Sequence, residues 1–496
     1  MTQLKGHLSW QRTDQKWQVM IKKLQGFDNQ MKVPVSGCVD IPQGGVPYSN
    51  LKVTLRNGQL SQIPSYFPDK KWQGLVRWFN EAQLRGRLNS AHALIQGPVN
   101  ALFDSKQSRF EIKADINHVH LNYAQGWPDL SNLKAEVFVK GQSLTVTVQQ
   151  GNILNSKLGY TVVEIADLSA PLLNLVGSTH GQAADGLRFI EESPLRDSID
   201  LQRLELDGFI DLALNLAIPL ANQQPTKVQG SILFKETTLH DKPLNLTLTD
   251  VAGRLNFSEN GVSTQHMRGK LHGNPVRFSV LTLGNKQPKG TMIQVTGFAD
   301  PLFFSEQLTQ LQARSQEKNA AGSNNRDAIF TKVLSTAFSG TTRWSVTVTI
   351  PNKVGGNNAI DIHFKADLLG MDIKLPAPLG KTAQEQRPFS LNVRLGGSDS
   401  VRAKRGKELG EDILVRARYG DALNGVFRVN QMGLERGSLV LGAIPAQLPK
   451  RASLNIKGHL PNLSITAWLD LFTEESTTDS RQSPISNNAN YLKNYS

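Results

Sequence analysis

His118 and His120 lie two residues apart in a strand-forming run, so alternation would aim both rings at one face, where they could share a metal ion. A catalytic zinc takes at least three protein ligands, and no third His or Cys accompanies them. No metal is assigned here. Glu191-Glu192 and Glu474-Glu475 are adjacent carboxylate pairs in expected surface helix and tail, placed as solvated charges rather than as a general acid facing a general base. Asn245-Leu-Thr247 and Asn462-Leu-Ser464 fit the short glycosylation pattern, which chance alone supplies often. No G-x-S-x-G elbow, phosphate-cradling glycine loop or H-E-x-x-H helix occurs. Cys38 is the one cysteine, which excludes a disulfide framework and a thiolate metal site. The sequence therefore assigns no catalytic residue, cofactor or metal, and the expectation is a protein that is not an enzyme.

What the sequence offers instead is alternation. Leu212-Ala-Leu214-Asn-Leu216-Ala-Ile218, Leu244-Asn-Leu246-Thr-Leu248, Val346-Thr-Val348-Thr-Ile350 and Leu391-Asn-Val393-Arg-Leu395 each place apolar side chains at every second position. A period of two gives a strand with one apolar and one polar face. The apolar content of 39% lies below the roughly 45–50% of ordinary globular domains, which disfavours a thick layered core and suits a sheet with one covered face. The net charge of +13 favours anionic partners such as membranes, lipopolysaccharide or nucleic acid. The densest basic run, Arg402, Lys404, Arg405 and Lys407 within Ser398–Glu411, has no interleaved aromatics for base stacking, so it is placed as a solvated loop and nucleic acid is not a predicted partner. Met1 to Trp10 has no apolar core of a signal peptide, and no uninterrupted apolar run reaches the roughly 18 residues of a membrane span.

Along the chain, residues 1–66 are expected to form strands, with Asn57-Gly58 marking a hairpin turn. In 67–85 the period changes: Trp72, Leu75, Val76 and Phe79 share one face of a basic amphipathic helix, expected to cap or brace the sheet, with a place on a membrane surface as the alternative. Strands return over 86–300, interrupted by a helical patch around Leu187 to Glu192. A helical segment and a mobile loop, Gln316 to Asp327, follow in 301–339. A second alternating block fills 340–473 and closes on a short helix, and 474–496 is a polar tail expected to be disordered.

Several stretches are similar in order to one known family. Gly433-Leu-Glu-Arg-Gly-Ser-Leu-Val-Leu-Gly442, Leu454-Asn-Ile-Lys-Gly458 and Ala467-Trp-Leu-Asp470 resemble a segment of the YhdP proteins, members of the AsmA-like group that includes TamB. Ala366-Asp-Leu-Leu-Gly-Met-Asp-Ile-Lys-Leu-Pro-Ala-Pro-Leu-Gly-Lys381 resembles another. Trp78-Phe-Asn-Glu-Ala with Arg85-Gly86, Trp127-Pro128, Ala170-Pro171 and Ile218-Pro219 fall in the family's order.

The resemblance implies a mainly β fold: a long curled antiparallel β-sheet forming an elongated hydrophobic groove, with a few short helices. It implies a section of an inner-membrane-anchored periplasmic protein that carries phospholipid towards the outer membrane and maintains its permeability barrier. Members of the family are longer and begin with a membrane helix, so this chain corresponds to an internal section. The expected partners are phospholipid acyl chains and, in the full-length context, components of both membranes. Oligomeric state is left open. The groove candidates are Leu144, Val146, Val148, Leu214, Leu216, Leu244, Leu246, Leu248, Val346, Val348, Ile350, Leu391, Val393 and Leu395, with Leu144 to Val148 expected beside Leu246 and Leu248. Three other readings stay open: a sandwich core, a structural or assembly factor for the envelope that carries no lipid, and an outer-membrane barrel. The polar tail, the helices and the lack of regular aromatic girdles weigh against the barrel.

Overall fold

The computed structural model describes the chain except for residues 1–2, 29–30, 67–72, 103–105, 198–200, 221–223, 243–245, 285–289, 301–336, 352–358, 397–412, 431–432, 459–463, 465 and 469–496. Leu244, the helical segment and loop expected after residue 300, the Ser398–Glu411 basic run and the polar tail therefore lie outside the described residues, and so do Trp72 and the side chains of Leu75 and Val76. The described chain is mainly β and divides into two units, Met1–Val295 and Thr296–Ser496.

In the first unit, β1 (Gln3–Arg12), β2 (Lys16–Asp28), β3 (Met31–Pro42), β4 (Tyr48–Gln59), β5 (Arg85–Pro98), β6 (Arg109–Leu121), β7 (Leu130–Lys140) and β8 (Ser143–Ile153) pair antiparallel in chain order. The short β9 (Ser156–Leu158) and β10 (Thr161–Ile165) each bridge β8 and β11 (Leu172–Gln182). The ladder continues through β12 (Leu204–Pro219), β13 (Lys227–Asp241), β14 (Leu246–Ser258), β15 (Gly261–Leu271) and β16 (Asn274–Leu283). β17 (Gly290–Ala299) contains the boundary between the units. Helix α1 (Gln73–Glu81) follows β4, and α2 (Ala183–Glu191) follows β11.

In the second unit, β18 (Phe338–Gly340) pairs with β21 (Met371–Ile373) as a two-stranded ribbon. The larger ladder runs β19 (Thr342–Pro351), β20 (Ile360–Ala366), β22 (Phe389–Leu395), β23 (Ile413–Tyr419), β24 (Leu423–Asn430) and β25 (Gly433–Leu441), all antiparallel. β26 (Leu454–Gly458) lies parallel to β25, against the expectation of a wholly antiparallel sheet. Residues 442–453 supply a crossover connection in place of a hairpin, as a parallel neighbour requires.

Bulges set where alternation holds. In the first unit the register shifts at Ile116/Val119 and Ser131/Lys134, and further along at Phe234/Thr237 and Thr249/Ala252. His118, Asn132, Glu236 and Asp250 take the left-handed backbone region there, with φ of 50°, 52°, 54° and 53°. Each is followed by a deeply buried side chain: Val119, Leu133, Thr237 and Val251. A bulge inserts one residue and bends the strand, so these four strands change parity at the same kind of place. Gly208, at φ 100°, faces one of them; a Cβ there would sit 3.0 Å from the Thr237 Cα, so only glycine fits.

Asn57-Gly58 makes no hairpin. Both residues lie within β4, where Gly58 pairs with Leu88 and Asn57 takes φ of 56°. Asparagine's tolerance of the left-handed region serves an irregularity inside a strand, and the chain then enters a 3-10 turn at Leu60–Tyr66.

Candidate functional site

Directly paired residues in a ladder point to the same face, so the register traces the apolar surface across strands. In the first unit one row runs Leu55, Ala91, Ala114, Val137, Val146, Val163, Leu175, Leu216 and Val228. A second runs Val53, Ala93, Ile112, Val139, Leu144, Ile165, Leu173 and Ile218. From Val137 through Val228 every side chain of the first row is half-buried. Each keeps part of its surface accessible.

Nearby, the same face is sealed. Leu60, Leu88, Ala91, Val119, Leu133, Ala135 and Val148 form a buried cluster, with Ile63 of the 3-10 turn packed on it. Val148 is thus a core residue, and Val146, two positions earlier, packs against that cluster while keeping part of its surface accessible. Helix α2 lies on the face at Ile210: Ala183 is fully buried and Gly186 sits against the Ile210 side chain. Asp185 ties this helix to the preceding strands by accepting hydrogen bonds from Asn155 and Ser156, both at 3.0 Å. Trp127 packs at a tilt against both Phe189 of α2 and Tyr123, at centroid distances of 5.6 and 6.3 Å. Burial, reinforced by Asp129, pushes the Tyr123 hydroxyl above the ordinary tyrosine range.

The opposite face is a charge ladder. Lys16 pairs with Asp40 at 2.6 Å, and Asp211 is held by both His180 at 2.6 Å and Lys235 at 2.5 Å. Lys235 first and His180 second hold the Asp211 carboxyl below its usual range. His120 pairs with Asp129 at 2.9 Å, and the bulge at His118 interrupts the alternation that would have aligned the two rings. Among the described residues no three His, Cys, Asp or Glu side chains gather as metal ligands.

The second unit repeats the arrangement. Val348, Ile362, Val393, Val415, Phe427, Gly437 and Leu454 form one row; Val346, Phe364, Leu391, Ala417, Gly425, Leu439 and Ile456 form the next. Leu395 joins a third through Ile360 and Ile413, and Ile350 shares their face by alternation from Val348. Here the sealed end is built by the chain between β20 and β22. The buried Lys381 donates to the carbonyl oxygens of Leu368 at 2.8 Å, Thr382 at 2.7 Å and Met371. Desolvation holds its ammonium pKa below the ordinary lysine value. Arg387 lies over the Tyr419 ring at 5.2 Å, and the Tyr419 hydroxyl donates to the Leu379 carbonyl at 2.7 Å. Trp344 stacks on Phe364 at 6.2 Å, and Phe364 meets Phe389 edge to face at 5.9 Å.

The structure thus groups Leu144, Val146, Leu214 and Leu216 on one face of the first unit, and the six candidates from Val346 to Leu395 on one face of the second. Leu246 and Leu248 do not lie beside Leu144 and Val146. They pair with Asp241 and Leu239, which pair with Leu204 and Leu206, at the far end of β12 from Leu216. The bulges of β13 and β14 separate the two ends, and strand alternation carries no sign of them. Val137, Val163, Leu175, Ile362 and Val415 belong to the surface and were not singled out in the sequence. Doubled apolar residues, as in Val162-Val163 and Ile413-Leu414-Val415, mask which side faces in.

A sequence model of the family described as YhdP protein matches residues 1–493. The chain belongs to the YhdP family. A curated relative, the intermembrane phospholipid transporter YhdP of Escherichia coli (strain K12), is 23% identical over 362 residues, covering 72% of this chain and 26% of the relative. The chain thus spans about a quarter of that protein's length. In this YhdP family member the stretch from Ala366 to Lys381 forms the plug around Lys381, and the stretch Gly433–Leu441 is strand β25. The first borders the open rows of the second unit, and the second contributes Gly437 and Leu439 to them. Among the described residues, no helix is long and apolar enough to cross a membrane.

Proposed function

We propose that this chain binds phospholipid along its apolar face and conducts it, as one section of a conduit between inner and outer membrane. The observation that carries the reading is the row from Val137 to Val228: six consecutive cross-strand partners, all apolar, all half-exposed, beside a core that the same protein seals elsewhere. Burying a methylene is worth about 0.8 kcal/mol. A continuous row therefore holds an acyl chain at many equivalent positions and lets it slide between them. The name of the Escherichia coli relative supports the same chemistry. A periplasmic position, an anchor in the inner membrane supplied by the full-length protein, and a role in the outer-membrane permeability barrier complete the proposal.

The test is lipid mass spectrometry on the chain purified from a Gram-negative host. Phospholipid retained through purification supports the reading. A lipid-free chain with a normal unfolding transition would leave a structural or assembly factor of the envelope, with its apolar rows closed by protein.

A further inference from the structure

Two phenylalanines on the apolar faces do not stand up from the sheet. Phe427 pairs directly with Gly437, and its ring lies across both Gly437 and Gly425. A Cβ at Gly437 would meet the ring at 2.5 Å, and one at Gly425 would meet its far edge at 2.7 Å. The first unit repeats the device: Phe257 pairs with Gly230, where a Cβ would lie 2.3 Å from the ring. In both places the glycine is covered by the ring, and the ring is itself half-buried, so its outer surface is part of the open face. An aromatic ring over a cross-strand glycine covers bare backbone and steadies the pairing. It also lowers the local profile: the bulkiest side chain of the row occupies the height of a glycine position.

We infer that these glycine-seated rings set the clearance of the apolar face, so that Phe427, with Phe257 as its counterpart, determines how bulky an acyl chain the face accepts. The inference rests on the acyl-chain reading above and adds the substrate class: slender, unbranched chains pass over a seated ring, and chains carrying a wide group do not. Gly425 is the position to alter, because the near atoms around its missing Cβ are all side-chain atoms of Phe427 and Leu439, with no backbone in the way. At Gly230 the Ala213 carbonyl lies 2.8 Å from the same point, so a substitution there strains the backbone as well.

The experiment uses the full chain, Gly425→Val, Phe427→Ala and the double variant. Each is loaded from vesicles of phosphatidylglycerol with palmitoyl chains, or the same lipid with a pyrene-bearing chain, and bound lipid is quantified beside the unfolding midpoint. Gly425→Val, which lifts the ring, is expected to lower palmitoyl-lipid binding. Phe427→Ala is expected to raise the pyrene-to-palmitoyl ratio by about tenfold, the change expected when a site gains room for roughly two methylenes. The double variant regains binding. A purely structural role for the rings would move the unfolding midpoint and leave the ratio unchanged; that result, with lipid bound to the parent chain, overturns this inference alone. A parent chain that takes up neither lipid overturns the acyl-chain reading itself, and the inference falls with it.

Discussion

Val348 and Val393 flank Ile362, each its direct partner across a strand boundary, so residues from β19 and β22 meet on one face through β20. Their neighbours Thr347 and Asn392 flank His363 on the other face in the same way. Val393→Asp should therefore abolish lipid retention, because an ionised carboxylate in an apolar row is unpaired and costly to desolvate. Asn392→Asp should leave retention intact. Lipid content after gel filtration distinguishes them.

Sealed and open parts of the same face predict different stability costs. Val119 is 1% exposed inside the buried cluster, and Val119→Ala removes two methylenes and leaves a cavity, for a loss of about 2–3 kcal/mol. Val163→Ala, on the half-exposed row and outside that cluster, should cost under about 1 kcal/mol, since part of that surface already meets solvent. Urea unfolding of the two variants measures the difference.

Lys381 is a strut. Lys381→Met keeps the aliphatic stem and strips three carbonyl oxygens of their donor, so it should destabilise the second unit by about 2–4 kcal/mol. Desolvation holds the folded lysine below its ordinary 10.5, so between the folded and unfolded values the unfolded chain binds more protons. The parent should accordingly gain stability relative to Lys381→Met as pH rises through that window towards 10.5. Melting of the pair across an alkaline series checks the sign.

Asp211 works in the other direction. Lys235 and His180 hold its folded pKa below 3.8, so its contribution is full above that value and is lost as pH falls through the folded one. The pair is exposed enough that Asp211→Asn should cost no more than about 1 kcal/mol near neutrality. Acid unfolding of the variant should start from a lower baseline and lose less stability on acidification.

Much of this was legible in the residues. Val346-Thr-Val348-Thr-Ile350 and Leu391-Asn-Val393-Arg-Leu395 alternate cleanly, and their faces follow from a period of two. The face of Val163 or Val415 was not legible, because an apolar neighbour stands on the other side as well. Nor was the position of Leu246: a single left-handed residue at Asp250 changes parity, and an aspartate in a strand gives no warning of it. Val148 continues the pattern of Leu144 and Val146 and still ends in a sealed core, in one buried cluster with Leu60 of the distant Leu60–Tyr66 turn. Alternation reports which side a residue faces; it does not report what lies on that side.

The most direct measurement is photo-crosslinking in a Gram-negative host from probes at Val146, Leu216, Val348 and Val393, with Thr145, Asn215, Thr347 and Asn392 as partners on the polar face. Phospholipid adducts from the first four alone are predicted. Equal labelling of both sets, or none from either, would contradict a lipid-lined apolar face.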